Sequence, residues 1–107
     1  MQIKHISAIA LQQRLADDEM LFLLDVREPV EFDYAHIQNS VLIPLAQIPA
    51  RLTELDPEQE IIVICHHGIR SLQAAQYLRQ QGFRHVLNLS GGVAAWASDC
   101  DLTMPRY

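Results

Sequence analysis

Five consecutive apolar residues, Ile61-Ile62-Val63-Ile64-Cys65, four of them β-branched, run without the alternation of a half-solvated strand. A strand apolar on both faces needs cover on both, the condition of an interior strand in a parallel sheet between helices. Leu21-Phe22-Leu23-Leu24-Asp25-Val26 makes the same case and stops at Arg27-Glu28-Pro29. Parallel neighbours require crossover connections, and the chain supplies them. Arg70 to Gln81 carries Leu72, Ala75 and Leu78 on one helical stripe, widened by Ala74 and Tyr77 and ended by Gly82. Val86-Leu87-Asn88-Leu89 reads as a further strand, Gly91-Gly92 as a turn, and Val93 to Ala97 as a short helix around Trp96. Near the start, Ile6, Ile9, Ala10, Leu11 and Leu15 have helical spacing, with Ser7 as N-cap and an end near Asp17-Asp18. Val41-Leu42-Ile43-Pro44 reads as a short strand, and Gln47 to Leu55 as a helix with Pro49 near its start. The expected order is helix, strand, turn, strand, helix, strand, helix, strand, helix. This is an α/β chain with a central parallel sheet flanked by helices on both faces.

At 107 residues the chain is expected to be one domain, 1–107, with a polar tail over 98–107. Eight Lys and Arg against 13 Asp and Glu give a net charge of −5, so no global positive field draws nucleic acid or anionic lipid. Any anion site must be local. No apolar run approaches the roughly 20 residues that span a bilayer, and no signal-peptide core follows the first residues. Two cysteines, Cys65 and Cys100, are too few for a disulfide framework. A reduced protein of the cytoplasm is expected.

Ligands bind beyond the carboxyl ends of strands in such sheets, and Cys65 is the last residue of the most apolar run. The segment Cys65-His66-His67-Gly68-Ile69-Arg70-Ser71 joins that strand to a helix start, where several backbone N–H groups lack helical partners. The helix dipole and the Arg70 guanidinium both favour negative charge on the sulfur, so Cys65 is expected to be a nucleophile. A buried structural cysteine is the plainer alternative, but it explains neither the glycine nor the Arg-Ser pair.

Four segments in order, Leu24-Asp25-Val26-Arg27-Glu28-Pro29-Val30-Glu31-Phe32, Ala35-His36-Ile37, the cysteine loop, and Gly91-Gly92-Val93-Ala94-Ala95-Trp96, resemble the rhodanese-like sulfurtransferase family over about residues 5–97. The resemblance implies a single rhodanese-like domain and a ping-pong sulfur transfer through a persulfide on Cys65. It implies thiosulfate or a protein or small-molecule persulfide as donor, and cyanide or a thiol, such as that of a thioredoxin-like protein, as acceptor. Loop amides from His66 through Ser71, with Gly68 and Ile69 between, would hold the added sulfur, and Arg70 would meet an anionic donor. Neither half-reaction requires a metal or organic cofactor. Ala35 stands where the family usually has glycine. The ending Pro105-Arg106-Tyr107 is similar to rhodanese domains fused to enzymes that activate sulfur carriers.

Cysteine-dependent phosphatases use related parts, but their loop places five residues between Cys and Arg. Here only His66, His67, Gly68 and Ile69 intervene, a smaller ring that suits a sulfur atom. A rhodanese-like module that only binds partners usually lacks the cysteine. Asp25 and Arg27 are supporting candidates, either as a structural ion pair or as residues that orient the loop. A metal site at His36, His66, His67 and Cys65 is disfavoured because adjacent residues rarely converge on one ion. Cys100, between Asp99 and Asp101, is expected to be a poor thiolate, and a relay with Cys65 requires the tail to bring it to the loop.

Overall fold

Five strands, β1 (Lys4–Ile6), β2 (Phe22–Asp25), β3 (Val41–Leu42), β4 (Ile61–Ile64) and β5 (Val86–Leu89), form one sheet in the computed structural model, which describes residues 2–107. All neighbours are parallel, in the spatial order β1-β5-β4-β2-β3. The helices are α1 (Ala8–Ala16), α2 (Pro29–Tyr34), α3 (Ile69–Gln80) and α4 (Gly92–Asp99).

β4 lies in the middle, and every one of its residues is buried. Its alternate side chains enter two cores. Ile61, Val63 and Cys65 pack with Ala74, Ala75 and Leu78 of α3, while Ile62 and Ile64 pack with Leu11 of α1 and Val93 and Ala97 of α4. The unbroken apolar run therefore reflects cover on both faces.

The chain leaves β2 toward β3 at one edge and leaves β4 toward β5 on the other side. Their carboxyl ends thus flank a topological switch point, where an open α/β sheet leaves a crevice. The Val26 N–H donates to the Ile64 carbonyl at 2.9 Å, which sets the segment after β2 alongside the start of the cysteine loop.

Several local readings are corrected. Ile6 belongs to edge strand β1, which pairs with β5, and α1 begins only after Ser7, whose hydroxyl accepts from the Ala10 N–H at 3.1 Å. Pro29 opens α2 instead of merely ending a strand, since a proline at the first helical position loses no internal hydrogen bond. The expected helix over Gln47 to Leu55 is two 3-10 segments, Leu45–Gln47 and Pro49–Glu54, interrupted by non-helical backbone at Arg51.

Asp25 and Arg27 are wholly enclosed and paired. Arg27 Nε and Nη2 donate to the Asp25 carboxylate at 2.9 and 2.7 Å, and Nη2 also donates to the Ala35 carbonyl at 2.7 Å. That bond fixes the turn after α2, and Ala35 meets it with ordinary extended backbone, φ −164°, so the absent glycine is not needed. Asp25→Ala should lower unfolding free energy by about 3–5 kcal/mol in urea denaturation, because it strands a buried guanidinium.

Candidate functional site

The loop from Cys65 to Ser71 begins where β4 ends and turns into α3 through Gly68, whose φ of 101° is the left-handed region. Cys65 is 1 % exposed. Its sulfur is nevertheless in polar company: Sγ accepts the Gly68 N–H at 3.0 Å and lies 3.2 Å from Ser71 Oγ. Aliphatic core therefore closes one side of the thiol and the loop the other.

Asn88 of β5 completes this arrangement. Its Oδ1 accepts from the Ser71 hydroxyl, and its Nδ2 donates to the Gly68 carbonyl at 3.1 Å and approaches His5 Nδ1 at 3.3 Å. The Ser71 hydroxyl has one proton, and an amide oxygen can only accept. While Ser71 donates to Asn88, the Cys65 S–H must donate to Ser71. An ionised sulfur reverses this, drawing the Ser71 proton to itself. Asn88 was not singled out from the sequence, although one amide in the apolar run Val86-Leu87-Asn88-Leu89 is a signal that a buried partner awaits it.

The N-terminus of α4 orients the loop backbone. The Val93 and Ala94 N–H groups donate to the carbonyls of Cys65 and His66 at 2.8 and 3.0 Å. In a trans peptide the C=O and N–H point oppositely, so the amides of His66 and His67 face away from α4. Gly92 permits this approach. A Cβ there would sit 2.2 Å from the Cys65 carbonyl oxygen, and its φ is +58°. The pair Gly91-Gly92 is thus more than a turn.

Arg70 occupies the far end of the loop, but Glu31 of α2 holds its guanidinium through Nη1 and Nη2 at 2.7 and 2.9 Å. The expected free anion-binding arginine is a bidentate ion pair. Arg70 above all, then the Glu28 N–H, holds the Glu31 carboxyl at about 2, far below its ordinary 4.5, against the opposing effect of burial. Tyr107 joins the same network: Arg27 Nη1 donates to its hydroxyl at 2.6 Å, and the hydroxyl lies 3.3 Å from Glu31 Oε1. Its ring stacks on His66, 4.0 Å between centroids and 11° between planes. Burial first, then His67, pushes the His66 imidazole below its usual range. Neither Glu31 nor Tyr107 was marked from the sequence as part of the loop, since both contacts span long chain separations.

The remaining expectations fall elsewhere. Asp25 and Arg27 form the ion pair beside the loop, while the hydrogen-bond partners of the sulfur are Gly68 and Ser71. His36 stacks on Phe32 and bonds the Phe32 carbonyl at 2.8 Å. The tail does return to the loop, but it delivers Tyr107. Cys100 packs against the opposite core from Cys65, and burial, then Asp99, pushes its thiol up.

Comparison with known proteins gives a consistent picture. Residues 7–99 match the family model described as a rhodanese-like domain. The chain is 41 % identical over 95 residues to a sulfurtransferase of Allochromatium vinosum, covering 89 % of each. It is 40 % identical over 96 residues to the thiosulfate sulfurtransferase GlpE of Pseudoalteromonas translucida, covering 90 % of each. Among solved structures, a rhodanese-like domain protein from Staphylococcus aureus superposes with a TM-score of 0.84 at 30 % identity, over 88 % of this chain and 91 % of that one.

Two outcomes follow from the geometry. Gly92→Ala should destabilise the chain by more than about 1 kcal/mol in chemical denaturation, because both the positive φ and the Cys65 carbonyl oppose a side chain. Glu31 is depressed in the folded state, so its stabilisation is complete above its unfolded pKa of 4.5 and is lost as pH falls through about 2. Urea midpoints measured between pH 5 and 2 should fall more steeply for the wild type than for Glu31→Gln.

Proposed function

This chain belongs to the rhodanese-like family, and from that membership we propose that it is a sulfurtransferase carrying sulfane sulfur as a persulfide on Cys65. The observation that carries the reading is the Gly68 N–H directed at Cys65 Sγ at 3.0 Å, at the carboxyl end of the central strand. A backbone donor aimed at a sulfur stabilises charge there without side-chain reorganisation. The names of the relatives, a sulfurtransferase and a thiosulfate sulfurtransferase, support the same chemistry.

In the first half-reaction the Cys65 thiolate attacks the outer sulfur of thiosulfate. The new S–S bond forms at Cys65 as the bond to the sulfonate sulfur breaks, and sulfite leaves with its electron pair. Cys65–S–S⁻ remains. A protein persulfide serves in the same way, with a thiolate as the leaving group. In the second half-reaction cyanide, or the thiol of a thioredoxin-like protein, takes the outer sulfur and restores the Cys65 thiolate.

The residues from His66 to Ser71 have distinct roles in this scheme. Gly68 and Ser71 donate to the reacting sulfur, the latter by turning its hydroxyl from Asn88. The amides of His66 and His67, and the first-turn amides of Ile69 and Arg70, provide further donors for the outer sulfur. The Arg70 side chain supplies positive charge for an anionic donor, oriented by Glu31. Asp25 and Arg27 support the loop through the segment alongside it. The cycle needs Cys65 reduced, and both cysteines are free thiols, which suits a cytoplasmic setting. No helix among the described residues is long and apolar enough to cross a membrane.

Incubation with thiosulfate should add one sulfur, about 32 Da, to the intact chain and nothing to Cys65→Ala, because the attacking thiolate is absent. Cyanide should remove that mass from the loaded protein. Equal gains in both chains by intact-mass spectrometry would overturn the assignment.

A further inference from the structure

Tyr107 spans the cysteine loop from one end to the other. Its ring lies on His66, the residue after the cysteine, while its hydroxyl reaches Glu31, the carboxylate that grips Arg70 at the loop's far end. The hydroxyl is used in both senses. It accepts from Arg27 Nη1 and has its proton free for Glu31 Oε1. A further edge contact to Tyr34 of α2, with centroids 5.8 Å apart, supports the ring from outside.

The rest of the tail is lightly held. Met104 is buried and anchors it, but Pro105 and Arg106 are exposed, the Arg106 carbonyl accepting from Tyr34 Oη at 3.1 Å and its Nη2 donating to the Ala97 carbonyl at 3.4 Å. A short segment with little buried surface opens locally at small free-energy cost. The space left between this segment, the loop histidines and α4 is about 130 Å³. At roughly 30 Å³ per water, that is room for a few waters or one small ion, not for another protein's loop.

Cys65 is 1 % exposed in this arrangement, yet its reaction requires access. We propose that Tyr107 is a latch over the Cys65 loop and the residue that sets the size of the reagent reaching the sulfur. Latched, the space beside the loop histidines holds nothing larger than a small ion. Released from Arg27, Glu31 and His66, the tail swings about Met104 and uncovers the sulfur to the cysteine of a protein partner. The fit of the phenol argues for a latch and against a simple anion pocket. An anion in the same place would meet Arg27 on one side but the Glu31 carboxylate on the other. The hydroxyl satisfies both.

The proposal takes Cys65 as the reacting sulfur from the reading above, and thiol alkylation tests the latch without invoking sulfur transfer. The rates of N-ethylmaleimide and of a maleimide carrying a long polyethylene glycol chain are measured at Cys65 by peptide mass, which counts Cys100 separately. Tyr107→Ala should raise the bulky reagent's rate by at least about tenfold relative to the small one, since it removes the stacked ring and both charge-assisted hydrogen bonds, either of which alone is worth about that factor. Tyr107→Phe, which keeps the stacked ring but loses the hydroxyl, should fall between wild type and Tyr107→Ala. An unchanged ratio of the two rates in both variants would overturn the latch. A shifted ratio in chains that gain no mass from thiosulfate would uphold the latch and remove the sulfurtransferase reading instead.

Discussion

Two hydrogen bonds, from Val93 and Ala94 to the carbonyls of Cys65 and His66, determine the shape of the loop on which the proposed chemistry depends. They turn the carbonyls of the first two peptide units toward α4 and so turn the amides the other way. Without them the loop carbonyls would be free to turn toward the sulfur, where they would repel negative charge. The bonds are possible only because Gly92 lets the helix start come within van der Waals contact of another backbone. The glycine at the head of α4 and the cysteine at the end of β4 are thus one unit, although 26 residues lie between them in the chain.

A second layer fixes the side-chain positions. Asn88 ties Ser71 and Gly68 to β5, Glu31 ties Arg70 to α2, and Arg27 ties Asp25, Ala35 and Tyr107 together beside the loop. Each buried charge has an opposite charge and further hydrogen bonds, the condition under which burial is tolerated. Fixed donors around a thiol need not reorganise as charge moves onto or off the sulfur, which is the advantage of building such a site on a rigid sheet.

The sequence was a good guide wherever periodicity and burial coincide. The run ending at Cys65 reads as a doubly covered strand because no position can face water, and the Leu72, Ala75 and Leu78 stripe reads as a helix because it needs only one buried face. Three-residue β1 escaped because its pattern merges with that of α1, and only its pairing with β5 makes it a strand. Pro29 was ambiguous for a different reason: proline ends strands and begins helices equally well. At the site, Cys65, Gly68, Arg70 and Ser71 were legible as a contiguous loop. Glu31, Asn88 and Tyr107 were not, since each reaches the loop from an element far away in the chain.

Taken alone, the amino-acid order determined the layered α/β architecture and the place of Cys65 between a strand end and a helix start. Those properties are local, set by hydrophobic period, β-branching and the glycine at position 68. Tertiary structure alone decided that the arginine at position 70 is clasped by a carboxylate, that the serine hydroxyl lies between an amide oxygen and the sulfur, and that a tyrosine from the tail lies across the loop. Such choices depend on which distant groups the sheet order brings within about 3 Å, the reach of a hydrogen bond, and no local pattern encodes that reach.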